Sequence, residues 1–486
     1  MTTLGASLRG LCTIEAPFPS VLDILGNPAL SEADLNYEDE RGKTTPLTAA
    51  CLKGRLDIVE ELLKDPRVNV NHQNQQGLTP LLAAVKSKSL QIVQSLLAQP
   101  QLNPNLALKS GGPPLCESPT LEITRKLLAD PRVDVNQARA DGQTALMQAC
   151  STGNINVLSF LLQHPRLVLT LTHPSQLHAS LVSAAGKGLI GVLGQLLADP
   201  RVDPAAVLTE GGAASLVVVA SLHNRSAVVK MLLKDGRIDP NHKTRRGVTA
   251  LCTACERSSV RVTQALLADP RVDPNLTNHR GETPLHLACL SGEADSPRLL
   301  LADLRVNPNT ASESGETPFL AACMRGSFDL ALSMAQDARV DVNGGESCPV
   351  VVACYRRDQD LALFLLSCDR IQASPYVLQT AAATGQAKVL EALLADPKAD
   401  VNSFDLHGET AFFKATRYGN PEIVTPLLRH SGVDVNARLD LTRFTPLMEA
   451  AYHGHTEAVQ LIFSLRGNGV DTEARTTLDD SATLSA

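Results

Sequence analysis

Residues 269–303 read DPRVDPNLTNHRGETPLHLACLSGEADSPRLLLAD, and a second copy of the pattern begins 34 residues after the first. That copy reads DLRVNPNTASESGETPFLAACMRGSFDL over residues 303–330. The seven-residue tag that opens both copies recurs along the chain, with its last residue at Asn71, Asn136, Asn241, Asn275, Asn309, Asn343, Asn402 and Asn436. A fixed period between about 20 and 50 residues is typical of a solenoid, in which each repeat packs only on its neighbours.

Two short apolar stretches in each repeat have the spacing of helices that bury one face. In the repeat around residue 54, the apolar positions are Leu47, Ala49, Ala50, Ile58, Val59, Leu62 and Leu63. Gly54 separates the two stretches and can adopt the left-handed conformation that ends a helix. Thr45 predicts an N-cap, and Pro46 suits the first helical turn because its missing N–H would be unpaired there. The pattern therefore predicts a pair of helices in every repeat.

Residues 283–288 read TPLHLA, which resembles the signature of the ankyrin repeat. The same phase carries Thr-Pro and an apolar residue at positions 45, 79, 317 and 445. The resemblance covers roughly residues 20–470 and implies an all-α solenoid of stacked helix-turn-helix repeats with short β-hairpin tips, arranged as a curved array. The period is mostly 34 residues here, against about 33 in the family. The additional residue falls in the DPRV loop, so we expect it to lengthen that loop and leave the helices intact.

The sequence predicts three segments along the chain. Residues 1–20 are expected to be partly disordered, residues 21–473 to form about 13 repeats with a degenerate N-terminal cap, and residues 474–486 to be a disordered polar tail. In the repeat at 106–136, two glycines and three prolines stand where the first helix belongs, so we expect that helix to be stunted. Pro426 should kink or fray its helix, because it removes a backbone bond and clashes with the preceding turn.

Size and charge exclude several classes of protein. The chain of 486 residues exceeds the about 250–300 at which a single compact core stops growing, a limit that does not apply to a repeat array. The formal net charge of −7 argues against wholesale nucleic-acid binding. No apolar run approaches the ~20 residues of a membrane span, the first 20 residues lack a signal pattern, and Thr2 stands where N-myristoylation needs glycine. We therefore expect a monomeric cytoplasmic or nuclear protein that does not contact membranes.

Six of the eleven cysteines share one phase of the repeat, directly after a core alanine: Cys51, Cys150, Cys255, Cys289, Cys323 and Cys354. A small buried thiol suits that position, so we expect these cysteines to be reduced and structural. Cys252 and Cys255, with His286 and Cys289 one repeat later, could in principle form a zinc site, which needs four converging ligands. Because Cys255 and Cys289 belong to the core series, we expect neither a metal ion nor any other cofactor.

Motifs of catalysis are missing from the sequence, which contains no GxSxG, HExxH or GxxxxGK[ST] pattern. Catalytic groups must converge on one pocket, whereas here each helix pair repeats its neighbour. The sequence therefore predicts a non-enzymatic scaffold, and the resemblance implies that protein partners bind on a concave face lined by hairpin tips and first helices.

Two alternatives stay open at this stage. The first is an adaptor that recruits an enzyme such as a ligase or a kinase. The second is a substrate of asparaginyl hydroxylation, because ankyrin repeats resemble known targets of that modification. The pairs with the appropriate eight-residue spacing are Leu63/Asn71, Leu128/Asn136, Leu394/Asn402 and Leu428/Asn436.

Two tips that are adjacent in the repeat order carry basic residues, and they are the main candidate contact: Lys243, Arg245, Arg246, His279 and Arg280. Residues 242–261 hold five Lys and Arg against one Glu, inside an acidic protein. Such a patch would select a protein partner with acidic residues, and the alternative is a solvated charged face. Few aromatic residues are available for stacking on bases, which argues against nucleic acid as the ligand.

A second candidate contact is apolar and lies near the end of the array. Phe404 and Leu406 occupy one tip, and Leu439 and Leu441 occupy the next. Contiguous exposed apolar side chains often mark a binding surface. The alternative is that these two tips pack on each other.

Overall fold

The computed structural model describes residues 3–13, 18–38, 44–168, 174–202, 215–372, 374, 376–397, 399–439 and 443–474. Regular structure in this part of the chain consists of 28 α-helices and one 3₁₀ turn, with no strand. The chain divides into two compact units, Met1–Ile238 and Asp239–Ala486. None of the described helices is long and apolar enough to cross a lipid bilayer.

Helices of the first unit pack in two rows. First helices contact first helices, as α4 on α6 and α9 on α11, and second helices contact second helices, as α5 on α7 and α10 on α12. The described helices are α1 (Thr3–Thr13), α2 (Phe18–Leu25), α3 (Glu32–Leu35), α4 (Pro46–Lys53), α5 (Leu56–Leu62), α6 (Pro80–Lys86), α7 (Leu90–Leu97), α8 (Leu121–Ala129), α9 (Ala145–Thr152), α10 (Ile155–Leu162), α11 (Pro174–Lys187), α12 (Ile190–Ala198), α13 (Leu216–Leu222) and α14 (Ser226–Lys234).

The second unit repeats this arrangement, with α15 on α17, α17 on α19 and α23 on α25 in one row, and α22 on α24 and α24 on α26 in the other. Its described helices are α15 (Ala250–Glu256), α16 (Val260–Leu267), α17 (Pro284–Ser291), α18 (Asp295–Ala302), α19 (Pro318–Arg325), α20 (Phe328–Gln336), α21 (Pro349–Tyr355), α22 (Gln359–Ser367), α23 (Val377–Thr384), α24 (Ala387–Leu394), α25 (Ala411–Tyr418), α26 (Pro421–Arg429), α27 (Pro446–Tyr452) and α28 (Thr456–Arg466).

Local signals that were predicted from the sequence delimit the first helices. The Thr45 hydroxyl accepts a hydrogen bond from the Thr48 N–H, so it caps α4 as expected, and Pro46 occupies the first turn. Gly54 ends the helix with φ at 71°, a conformation that side chains disfavour. Of the seven apolar positions named for this repeat, all but Leu63 are buried. The predicted helix pair is therefore confirmed.

The predicted β-hairpin tips are turns rather than strands in the described residues. In one tip, the Asn74 N–H donates to the Leu78 carbonyl at 3.1 Å and the Gly77 N–H donates to the Asn74 carbonyl at 2.9 Å. Neighbouring tips share a backbone bond, from the Lys109 N–H to the Gln76 carbonyl. Each tip is too short for a ladder of several bonds, so it closes as a turn and is fixed by the tip beside it.

An Asp-x-Arg pair in the tag clamps several repeats to the one before them. Asp130 pairs with Arg132 at 2.7 Å, and the guanidinium donates to the carbonyl of Leu97, at the end of α7, also at 2.7 Å. It reaches the carbonyls of Gln99 and Leu102 as well. Bonds of the same kind to carbonyls one repeat earlier are made by Arg201, Arg237, Arg305 and Arg339. The arginine also lowers the pKa of Asp130.

The last residue of the tag forms a second bridge between repeats. The Asn71 side chain donates to the Gln101 carbonyl at 2.7 Å and accepts from the Asn103 N–H at 2.7 Å. The same two bonds recur at Asn136, Asn241, Asn275, Asn309, Asn343, Asn402 and Asn436. The tag therefore serves to join successive repeats.

The N-terminal segment differs from the expectation of partial disorder over residues 1–20. Helix α1 packs on α4, and its Leu8 and Cys12 are fully buried. The Gly5 N–H donates to the Asp34 carboxylate at 3.0 Å. Leu8 and Cys12 lie four residues apart, so they form one apolar face that covers the free side of the first regular repeat.

Two irregular repeats were anticipated, and one behaves as expected. Residues 106–120 contain no helix, so the first helix of that repeat is missing and α8 starts directly at Leu121. Pro426, by contrast, lies inside α26, which continues to Arg429, so the expected fraying is not seen. The tail at 475–486 lies outside the described residues.

The six cysteines of the core series are all buried, as predicted from their shared phase. Burial raises the pKa of the Cys323 thiol to about 12, and it also raises the pKa of Cys255 and Cys289. Among the described residues, no group of three or more His, Cys, Asp or Glu side chains is placed to hold a metal ion. The Cys252-x-x-Cys255 pattern is thus part of the helix packing, since both thiols are fully buried.

Replacing Arg132 by alanine should lower the free energy of unfolding by about 1–2 kcal/mol, because carbonyl groups after α7 lose a charged, partly exposed donor. Urea denaturation and hydrogen exchange of α7 would measure the loss. The matched control is Lys126→Ala, which removes an exposed cation from α8. An equal change in both variants would contradict the clamp.

Thiol labelling of the native protein should modify Cys348 and Cys368 first, because these two are only partly buried. The core series should react only as the protein opens, since a buried thiol with a raised pKa supplies almost no thiolate at neutral pH. Mass spectrometry after a short pulse of a thiol reagent reads the order. Early labelling of Cys255 or Cys289 would overturn the structural assignment.

Candidate protein-binding groove

The two basic tips adjoin each other and are held by their own backbones. The Thr244 N–H donates to the Val248 carbonyl at 3.0 Å, and the Asn278 N–H donates to the Glu282 carbonyl at 3.0 Å. The His279 N–H bonds the Arg246 carbonyl at 3.3 Å and so joins one tip to the next. The positions of the tip side chains therefore follow from backbone geometry.

Glycine is required where the two basic tips meet. Gly247 has φ at 72°, and a Cβ atom there would lie 2.9 Å from the His279 backbone nitrogen. A side chain at this position would push the tips apart and break the bond between them.

Four of the five predicted basic residues line one groove of about 690 Å³. Arg245, Arg246, His279 and Arg280 project from the tips and are exposed. The groove is also lined by Glu256 of α15, by Leu287 and Leu290 of α17, and by Glu282, which lies two residues after Arg280. We call this feature the tip groove.

The cations of the tip groove are available to a ligand. Within the described part of the chain, no carboxylate oxygen lies within 4.0 Å of a side-chain nitrogen of Arg245, Arg246 or Arg280. The clamp arginines, by contrast, are each paired with an aspartate. Three guanidinium groups without ion-pair partners line the groove, so an incoming carboxylate can form bidentate hydrogen bonds there.

Lys243, the fifth predicted contact residue, is not among the residues that line the groove. Its ammonium donates to the Thr277 carbonyl at 2.8 Å, on the neighbouring tip. This bond links the two tips, and a contact of Lys243 with a partner stays a prediction.

The apolar side of the groove was missed by the sequence analysis. Leu287 and Leu290 follow Thr283 by four and seven residues, and both are only partly buried. The previous repeat has Thr253 and Glu256 at the same positions. A signal existed, because leucine replaces polar residues there, but both leucines also continue the core pattern of α17 and looked like interior residues.

The second predicted contact is only partly described. Phe404 and Leu406 are 55% and 86% exposed, so both present apolar surface to solvent. Leu439 is partly buried, and its N–H donates to the Phe444 carbonyl at 3.1 Å. Leu441 lies outside the described residues.

The same part of the second unit contains an internal ion-pair network. Lys414 pairs with Asp405 at 2.6 Å, and Arg417 contacts both Glu409 and Glu449 at 2.5 Å. The carboxylates of Glu409 and Glu449 are almost completely buried. Lys414 and Arg417 are therefore neutralised within the protein, unlike the arginines that line the tip groove.

Family models of ankyrin repeats match more than half of the chain. Three matches to the model described as "Ankyrin repeats (3 copies)" cover residues 19–107, 216–311 and 378–476. A match to the model described as "Ankyrin repeat" covers residues 141–167. No curated protein matches the chain. The helix pairs, the capped first helices and these matches agree with the resemblance seen in the sequence, and the chain belongs to the ankyrin repeat family.

Proposed function

We propose that the protein is a non-enzymatic scaffold that holds an acidic segment of a partner protein in the tip groove. Ankyrin repeats are general protein-protein interaction modules, which supports a protein as the ligand. This site is supported by three exposed guanidinium groups that line the groove, those of Arg245, Arg246 and Arg280. None of the three has an ion-pair partner in the described structure.

Binding would use a surface that is already in place. The bond between the two tips and the tether from Lys243 fix the backbone that carries the arginines. A preorganised surface loses little entropy on association. Guanidinium groups bind carboxylates in a bidentate manner, and a positive patch in an acidic protein raises the encounter rate with acidic partners. Affinity should therefore fall as salt concentration rises.

Nucleic acid fits the groove less well than an acidic protein segment. Glu256 and Glu282 line the same groove as the arginines. A phosphate backbone carries a charge every ~3.4 Å along each strand, so it would bring phosphates close to these carboxylates. A protein segment can present a carboxylate to the arginines and a neutral residue to the glutamates.

Catalysis is not part of the proposal. The groove is lined by guanidinium, carboxylate and leucine side chains, with His279 and Ser291, and the proposal uses them for recognition. The thiols of the core series are buried with raised pKa values, which makes them poor nucleophiles.

The hydroxylation alternative gains no support from the geometry of its asparagines. Asn71, Asn136, Asn402 and Asn436 each use their side chains in two bonds to the following repeat. An enzyme would have to open that loop to reach them. The adaptor alternative is compatible with the proposed binding, and it predicts that the bound partner is an enzyme.

Charge reversal tests the site. Arg246→Glu with Arg280→Glu should weaken binding of a pool of glutamate-containing peptides at least about tenfold, equivalent to about 1.4 kcal/mol. Fluorescence anisotropy measures the affinity, and pools with serine or lysine at the same positions set the background.

The matched control is Arg261→Glu with Arg298→Glu, which makes the same charge change on exposed residues of α16 and α18. It should leave most of the binding intact. If the control weakens binding as strongly as the groove variant, only net charge matters and the proposed site is wrong.

A further inference from the structure

Building on the acidic partner proposed above, we infer that the tip groove recognises two carboxylates three residues apart on a segment in the polyproline II conformation. The inference adds a spacing and a backbone conformation to the proposed binding. It rests on the equivalent positions of the arginines in two successive repeats, on the bond between the tips, and on the glutamates and leucines that also line the groove.

The basic residues form two equivalent pairs, one repeat apart. Arg246 lies three residues before Thr249, and Arg280 lies three residues before Thr283. Arg245 and His279 likewise lie four residues before those threonines. The groove therefore offers the same cationic position twice.

The distance between equivalent positions follows from the backbone. Each tip folds two chain segments side by side, and the bond from the His279 N–H to the Arg246 carbonyl joins the edges of neighbouring tips. The first helices that follow the two tips, α15 and α17, pack on each other. Packed helices are separated by about 8–10 Å, so equivalent positions of the two tips lie about that far apart.

A polyproline II helix has a matching period. It has three residues per turn and rises about 3.1 Å per residue, so side chains i and i+3 face the same way about 9.3 Å apart. A β-strand presents same-face side chains at about 6.7 or 13 Å. Both carboxylates of a polyproline II segment can therefore face Arg246 and Arg280 without distortion.

An α-helical ligand fits less well, although its residues i and i+7 lie about 10.5 Å apart. A helix has a diameter of about 10–12 Å, whereas an extended segment is narrower and brings its backbone closer to the tips. The peptide with spacing seven in the test below separates these two conformations.

The remaining groove residues determine what lies between the carboxylates. Glu256 and Glu282 repel additional acidic residues, and Leu287 with Leu290 offers an apolar contact. The ligand class is accordingly acidic-x-x-acidic, where x is apolar or basic. A continuous acidic run would face the two glutamates and gain less than its charge suggests.

Synthetic peptides in a proline-rich host test the spacing. Two glutamates are placed two, three, four or seven residues apart at constant composition, and affinity for the full-length protein is measured by fluorescence anisotropy. The peptide with spacing three should bind about tenfold more tightly than those with spacing two or four. A run of consecutive glutamates should not bind more tightly than the spaced pair at physiological salt.

Variants separate this inference from the proposed function. Arg246→Glu with Arg280→Glu should abolish the preference for spacing three, and Arg261→Glu with Arg298→Glu should retain it. If the double variant fails to fold, Arg280→Gln takes its place, because it keeps a polar side chain on an exposed turn. This single variant should lower the affinity and remove the preference for spacing three.

Three outcomes overturn part of the account. Arginine-dependent binding at every spacing removes the spacing rule and leaves the proposed function standing. Tightest binding of a helical peptide with spacing seven rejects the polyproline II conformation. Failure of every acidic peptide to bind, or binding that ignores Arg246 and Arg280, rejects the proposed function itself.

Discussion

The bonds from the tag arginines to the carbonyl groups of the preceding repeat are the interaction on which the rest of the structure depends. A helix end leaves four carbonyl groups without partners and carries partial negative charge. Arg132 meets that need at the end of α7, and Asp130 holds its guanidinium in place. Repeats that carry this pair thereby cap a helix of their neighbour, and the asparagine bridges fix the loops beside it. Stacking, register and the spacing of the tips all follow from these contacts.

Recognition depends on the positions that differ from repeat to repeat, which are those of the tips. The tag is nearly constant because every interface needs it, whereas the tips differ from repeat to repeat. In the tip groove the variable positions are Arg246 and Arg280, which lack ion-pair partners in the described structure. Near the end of the chain, Arg417 is instead paired with Glu409 and Glu449. The same architecture thus leaves arginines unpaired in the tip groove and pairs Arg417 with two glutamates near the end of the chain.

Sequence periodicity predicts what occurs inside a repeat and says less about what joins repeats. The helix pairs, the cap at Thr45 and the burial of the core cysteines were predictable because they depend on residues within a few positions. The tether of Lys243, the exposure of Leu287 and the packing of α1 were not. Lys243 bonds a carbonyl 34 residues away, a contact that local patterns do not encode. The position of Leu287 fits both the core pattern of α17 and a groove lining, so the sequence alone does not separate the two. Its partial exposure in the structure places it in the groove lining.

The clamp can be tested most directly where the chain lacks it. In the tag at 430–436, His430 and Gly432 replace the aspartate and the arginine, and the His430 Nδ1 accepts the Gly432 N–H as the aspartate does elsewhere. The decisive measurement is hydrogen exchange of α24 in the variant His430→Asp with Gly432→Arg, compared with Gly432→Ala. We expect slower exchange at the end of α24 and a higher unfolding midpoint only in the variant that restores the clamp. Equal exchange in the two variants would contradict the claim that these arginines hold the repeats together.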